Sequence, residues 1–129
     1  MAAVEPVGRR EDAALLLDLM ERASGEAPAL WGPMIGYGRY HYRTESGHLG
    51  EMFLTGFAPR KANMVVYIMP GFDGLENELR VLGPHKVGKS CLYLGRLHRT
   101  NLDALKALVS RSVDLMRQRH AGSLYFSAI

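Results

Sequence analysis

Three strand-like runs joined by two short links constrain this chain more than any other feature. Residues 34–43 read MIGYGRYHYR, 51–57 read EMFLTGF and 63–69 read NMVVYIM. Aromatic and β-branched side chains suit a pleated, half-buried surface, and the third run is the most β-prone of the chain. The links, 44–50 and 58–62, are too short for a parallel crossover and carry the turn residues Ser46, Gly47, Gly50 and Pro59. They predict antiparallel neighbours in a meander. The stretch 26–33 before them, with two prolines and Trp31, reads as a loop.

Helical periodicity flanks the meander. From Arg9 to Ser24, Leu16, Leu19, Met20 and Ala23 share one face, Leu15 and Leu17 widen it, and Gly25 stands where a C-terminal glycine belongs. After Pro70-Gly71, Asp73 and Glu76 form the acidic analogue of a capping box. Leu75, Leu79 and Leu82 follow at helical spacing, and Gly83-Pro84 stops that helix. Residues 90–94, SCLYL, read as a fourth strand. Thr100 and Asp103 then predict the cap of the strongest helix, 101–120, with Leu102, Leu105, Leu108, Val109, Val113 and Met116 on one face and Gly122 beyond it. The order is α-β-β-β-α-β-α. Helices with one apolar face must bury it, so the expected class is α+β: an antiparallel sheet of about four to five strands with helices on one face.

At 129 residues, 47% apolar and 22% charged, the chain has the size and composition of a single globular domain, 1–129, with 1–8 frayed. Cys91 is the lone cysteine, which excludes an intrachain disulfide and any zinc site needing two thiolates. No apolar run reaches the ~18 residues of a membrane span, and residues 1–10 lack the core of a signal peptide. A reducing cytoplasm is the expected location, with no membrane contact. Residues 1–30 balance to −3 and residues 81–129 to +6. Such asymmetry can mark an anion or nucleic-acid footprint. Pairing between the two segments is the simpler reading, and nucleic acid is disfavoured as a partner.

Residues 83–90, GPHKVGKS, match the phosphate-binding pattern G-x-x-x-x-G-K-[ST] letter for letter. That chemistry needs a strand before the loop and a helix after it, because the helix N-terminus completes the anion site. Here a helix precedes and a strand follows, and Pro84 removes one N–H from the cradle. The stretch reads as a turn that leaves Lys86 and Lys89 in solvent.

Other residues carry weaker signals. None of His41, His48, His85, His98 and His120 has the spacing of a helical zinc pair. Cys91, with Lys89 two residues away, is a thiol candidate, and His41 would pair with it if the first and fourth strands were close. Gly36, Gly38 and Gly56 mark places inside strands where another group comes close. Helix-on-sheet packing explains this pattern, and the alternative is a pocket lined by Trp31, Tyr37 and Tyr40, with Tyr42. Arg60 and Lys61 tip the second hairpin and could meet an anion. Glu11, Asp12, Asp18 and Glu21 give the first helix an acidic side that could hold a hard cation through oxygens, with Arg22 placed at i+4 to neutralise Asp18.

Four ordered stretches, residues 31–38 (WGPMIGYG), 56–61 (GFAPRK), 67–69 (YIM) and 88–94 (GKSCLYL), together resemble the YdhG-like family, a bacterial domain of unknown function. The resemblance runs from about Ala27 to Val113. It implies a small α+β sandwich in which the GKS stretch leads into a strand. Some relatives are described as frataxin-like iron chaperones, which implies iron as an alternative cargo. Frataxins rely on a strongly acidic helix and sheet edge, whereas this chain has a pI of about 9.2 and helix acids interleaved with Arg9, Arg10 and Arg22. No catalytic residue carries over. The expected function is a non-enzymatic ligand-binding or interaction domain, with no cofactor and an unnamed ligand or protein partner, monomeric or weakly dimeric. Iron binding through Glu11, Asp12, Asp18 and Glu21 is the alternative. A small enzyme using Cys91 or the tyrosines is a second.

Overall fold

The computed structural model describes residues 7–43, 46–60 and 63–119. The expectations for residues 1–6, Lys61, His120 and Gly122 lie outside them. Among the described residues three helices and eight strands follow one another: α1 (Val7–Ser24), β1 (Pro28–Trp31), β2 (Met34–Tyr37), β3 (Tyr40–Arg43), β4 (Leu49–Met52), β5 (Thr55–Pro59), β6 (Met64–Tyr67), α2 (Glu76–Leu82), β7 (His85–Val87), β8 (Cys91–Leu94) and α3 (Leu102–Arg119). Six strands form one antiparallel sheet in the order β1-β2-β5-β6-β8-β7, and β3-β4 form a separate two-stranded ribbon. The class is α+β, with more strands than the four to five expected.

Each extra strand has a local cause. Residues 34–43 do not form one strand, because Gly38 takes φ +68° and turns the chain between β2 and β3. The partner run breaks opposite, at Phe53-Leu54, where the Leu54 N–H donates to the Tyr37 carbonyl at 3.0 Å. The expected loop 26–33 contains β1 instead, joined to β2 by a two-residue turn at Gly32, φ +65°. Pro28 is tolerated as the first residue of an edge strand, where the missing N–H breaks no ladder. Residues 85–87 pair with β8, so the phosphate-loop lookalike is strand, turn and strand. Its Gly88 N–H donates to the Cys91 carbonyl at 2.8 Å, closing the hairpin rather than facing an anion.

Two helix starts also differ from expectation. The Asp73–Glu76 box is not formed: α2 begins after Leu75, which makes no side-chain cap. The α3 cap is Asn101, not Thr100, since Asn101 Oδ1 accepts the Ala104 N–H at 3.1 Å while Thr100 is extended at the end of a 3-10 turn. The first helix starts at Val7, earlier than Arg9, and Gly25 ends it with φ +73°.

One apolar cluster joins the helices to the near face of the sheet. Leu16 and Met20 of α1 and Leu105, Leu108, Val109 and Val113 of α3 meet Phe57, Met64, Val66, Leu92 and Leu94, all at most 1% exposed. These strand residues alternate, as a half-buried sheet requires. Tyr37 joins them and its hydroxyl donates to the Leu17 carbonyl at 2.7 Å, tying β2 to α1. Burial, and secondarily the charges of Glu21 and Asp18, push its phenol pKa far up. Glu78 of α2 pairs with Arg111 of α3, and that hydrogen bond holds its carboxyl below the usual carboxylate range.

The far face carries a second, smaller packing. Gly36 and Gly56 oppose each other across β2 and β5, and Phe53 lies over them, 0% exposed. Trp31 packs edge-on against Phe53, ring centroids 5.5 Å apart, and Tyr67 packs on its other side at 5.6 Å. The strand glycines thus admit an aromatic ring of the chain itself.

Two outcomes check this architecture. Leu108→Ala should cost about 2–5 kcal/mol in a denaturant titration, the range for truncating a buried leucine. Gly56→Ala should cost about 1–3 kcal/mol, because an added Cβ would stand 2.6 Å from the Ile35 carbonyl oxygen. Gly95→Ala, where nothing lies within 4 Å, is the control and should be nearly neutral.

Candidate functional site

Alternation along β6 and β8 decides which side chains share the far face. Register pairs Val65 with Tyr93 and Tyr67 with Cys91, so all four point to the same side. At the β5–β6 connection the Arg60 N–H donates to the Asn63 carbonyl at 2.8 Å, and the Arg60 side chain lies on that face. Its guanidinium donates to the Tyr67 hydroxyl at 3.2 Å. Together Arg60, Asn63, Val65, Tyr67, Cys91 and Tyr93 line a depression of about 310 Å³. It begins where Phe53 stops covering the sheet. Pockets that take small molecules run from ~300 to ~1,000 Å³, so this one sits at the small end.

The electrostatics are one-sided. No Asp or Glu lines the depression. Arg22, Arg39, Arg96, Arg111 and Arg117 each pair with a carboxylate, but Arg60 meets only the Tyr67 hydroxyl among the described residues. That bond raises the Arg60 pKa further, so its charge is permanent. Lys86 is the register partner of Tyr93 on β7 and adds an exposed cation on the same side. Hydrogen bonding to Cys91 holds the Tyr93 phenol above its ordinary value, so it is neutral and able to donate at physiological pH.

The sequence-based candidates divide. Arg60 and Cys91 line the depression, and Lys86 borders it. Lys89 is exposed at the β7–β8 turn. Trp31 serves the Phe53 packing, with the Arg39 guanidinium 5.9 Å from its ring centroid. Tyr37 lies in the core on the opposite side, fully buried, and Tyr40 is buried in the ribbon against Tyr42. Both tyrosines belong to the buried core cluster, so they pack the interior, as the packing reading expects, rather than line an open pocket. His41 lies on the β3–β4 ribbon, a different sheet from the one that holds Cys91. Its Nε2 lies 3.4 Å from Glu51 Oε2 across the ribbon. The residues missed are Asn63, Val65, Tyr67 and Tyr93. Their signal was the i, i+2 spacing in residues 65–67 and 91–93, which places each pair on one face once register is known.

The acidic set on α1 separates in a similar way. Asp12 is 5% exposed and works as a structural tie, not an open ligand. Its Oδ2 accepts Arg96 Nε–H at 2.8 Å and the buried Leu97 N–H at 3.0 Å, 84 and 85 residues away. Asp18 pairs with Arg22 at 2.9 Å, as the i, i+4 spacing predicts. Asp18 and Glu21 line a recess of about 440 Å³ with Arg22 and Glu26, and Arg117 of α3 pairs with Glu26 at 2.9 Å. Glu11 is exposed. Among the described residues no three His, Cys, Asp or Glu side chains converge as a metal group. The pairs Asp12–Arg96 and Glu26–Arg117 show the acidic N-terminal and basic C-terminal segments neutralising each other, as charge balance predicts.

No helix among the described residues is long and apolar enough to cross a membrane. Comparison with family models, curated proteins and solved structures returned no match.

The Asp12 tie has a measurable asymmetry. Asp12→Ala strands the buried Leu97 N–H and should cost about 1–3 kcal/mol in a denaturant titration. Arg96→Ala removes a side chain that is 43% exposed and keeps the Leu97 bond, so its cost should be clearly smaller. Equal losses would show that the Leu97 bond contributes nothing.

Proposed function

We propose that this chain is a small, non-enzymatic, cytoplasmic ligand-binding domain whose site is the far-face depression. The observation that carries the reading is the convergence of Arg60, Tyr67 and Tyr93, with Asn63 and Cys91, around one concavity of the sheet's far face. Ligand sites combine an apolar or aromatic lining with a few placed polar groups, and this set has that composition. The sequence resemblance to YdhG-like domains supports the same α+β frame. Stretches 56–61, 67–69 and 88–94, three of the four that carry the resemblance, supply Arg60, Tyr67, Cys91 and Tyr93.

Iron binding on α1 is the competing reading. It would fall to Glu11, Asp18 and Glu21, since Asp12 is engaged with Arg96 and Leu97. Arg22 competes for Asp18 at 2.9 Å.

Amide and side-chain NMR of the full chain against a small-molecule fragment library separates the two. Hits should shift resonances of Asn63, Val65, Tyr67, Cys91 and Tyr93 and leave α1 unmoved. Hits confined to other surfaces would overturn the proposed site. A ferrous titration that broadens Glu11, Asp18 and Glu21 at stoichiometric metal would put the iron reading first.

A further inference from the structure

We infer that the depression takes a single aromatic or heteroaromatic ring bearing one anionic substituent, an inference that rests on the ligand-binding reading above. Size sets the first limit. About 310 Å³ is room for one ring with a substituent. Shape sets the second. Tyr67 and Tyr93 stand diagonally across β6 and β8, because Val65 faces Tyr93 and Tyr67 faces Cys91. Diagonal neighbours in an antiparallel pair are roughly 7–8 Å apart. A planar ring in the depression beside Val65 therefore meets an aromatic side chain on each flank.

Charge sets the third limit. The Arg60 guanidinium has five donors, of which the Tyr67 hydroxyl takes one. Among the described residues nothing else takes the others, which can grip a carboxylate or phosphate in the bidentate geometry that arginine favours. No carboxylate of the lining repels such a group, and Lys86 adds a second positive charge across Tyr93. A cation would find no counter-charge there. A neutral ring would use the tyrosines and leave Arg60 unsatisfied by any anion. Asn63, at the Arg60 end, offers one further donor and acceptor pair for a ring substituent.

The test is a calorimetric and NMR titration of the full chain with three probe sets. Benzoate and phenyl phosphate carry ring and charge, benzamide and benzyl alcohol carry the ring alone, and acetate and inorganic phosphate carry the charge alone. The ring anions should bind at least about tenfold more tightly than either other set, the size of one charge-assisted contact. Comparing benzoate with phenyl phosphate tells which anion is preferred. Arg60→Gln should reduce benzoate to the level of benzamide. Tyr93→Leu should weaken benzoate and benzamide by the same factor. Circular dichroism confirms that both variants fold, and Lys106→Gln on the exposed side of α3 should change nothing. Neutral rings binding as tightly as anionic ones, or acetate as tightly as benzoate, would overturn the inference while leaving a ligand site in place. Silence from all six probes would overturn it too. The fragment library above then decides separately whether the depression binds small molecules at all.

Discussion

Strand β5 is buried on both of its faces, and the rest of the molecule is arranged around that demand. Thr55 to Ala58 are all inaccessible to solvent or nearly so. One side of the strand, through Phe57, enters the cluster with α1 and α3. The other side carries Gly56, over which Phe53 lies, and the small Ala58. The buried Thr55 hydroxyl is accommodated because it donates to the Tyr67 carbonyl at 3.0 Å. A strand in this position needs a helical layer on one side and an aromatic cover on the other. Trp31 and Tyr67 hold that cover in place from either flank.

The candidate site follows from where the aromatic cover ends. Phe53 shields the sheet from Trp31 to Tyr67. Beyond Tyr67 the same face continues onto β8 with Cys91 and Tyr93, and a depression is left. Its charge has an equally simple origin. The acidic and basic ends of the chain meet and neutralise each other through Asp12–Arg96 and Glu26–Arg117. Arg60 sits on the opposite side of the sheet from these pairs and keeps its charge against a phenol. The net positive charge of the whole chain is therefore a poor guide to the site. The local absence of a carboxylate beside Arg60 is the informative quantity.

Helix α3, with its apolar face, and the β-character of residues 63–69 were legible in the sequence, because periodicity and side-chain branching act over a few residues. The failure of the phosphate-loop pattern was legible too, since it turned on the order of neighbouring elements. The strands at 28–31 and 85–87 were not. Pro28, Pro33 and Pro84 argue locally against strands, and only a long-range ladder outweighs them. The break at Gly38 was hidden because a glycine inside a tyrosine-rich run gives no sign of its φ.

By itself the amino-acid sequence determined the α+β class, the apolar faces of α1 and α3, and the antiparallel β5–β6 pairing, all set by periods of 3.6 and 2 and by short links. Tertiary structure alone decided which tyrosines meet. Tyr37 and Tyr40, three residues apart, are taken into the core, whereas Tyr67 and Tyr93, 26 apart, share a cavity through the β6–β8 register. The same holds for Asp12, one of several helix acids in the sequence, which becomes a buried tie when Arg96 and Leu97 arrive from the far end of the chain. Period and propensity are properties of a segment, but register and charge neutralisation depend on segments brought together by burying the core.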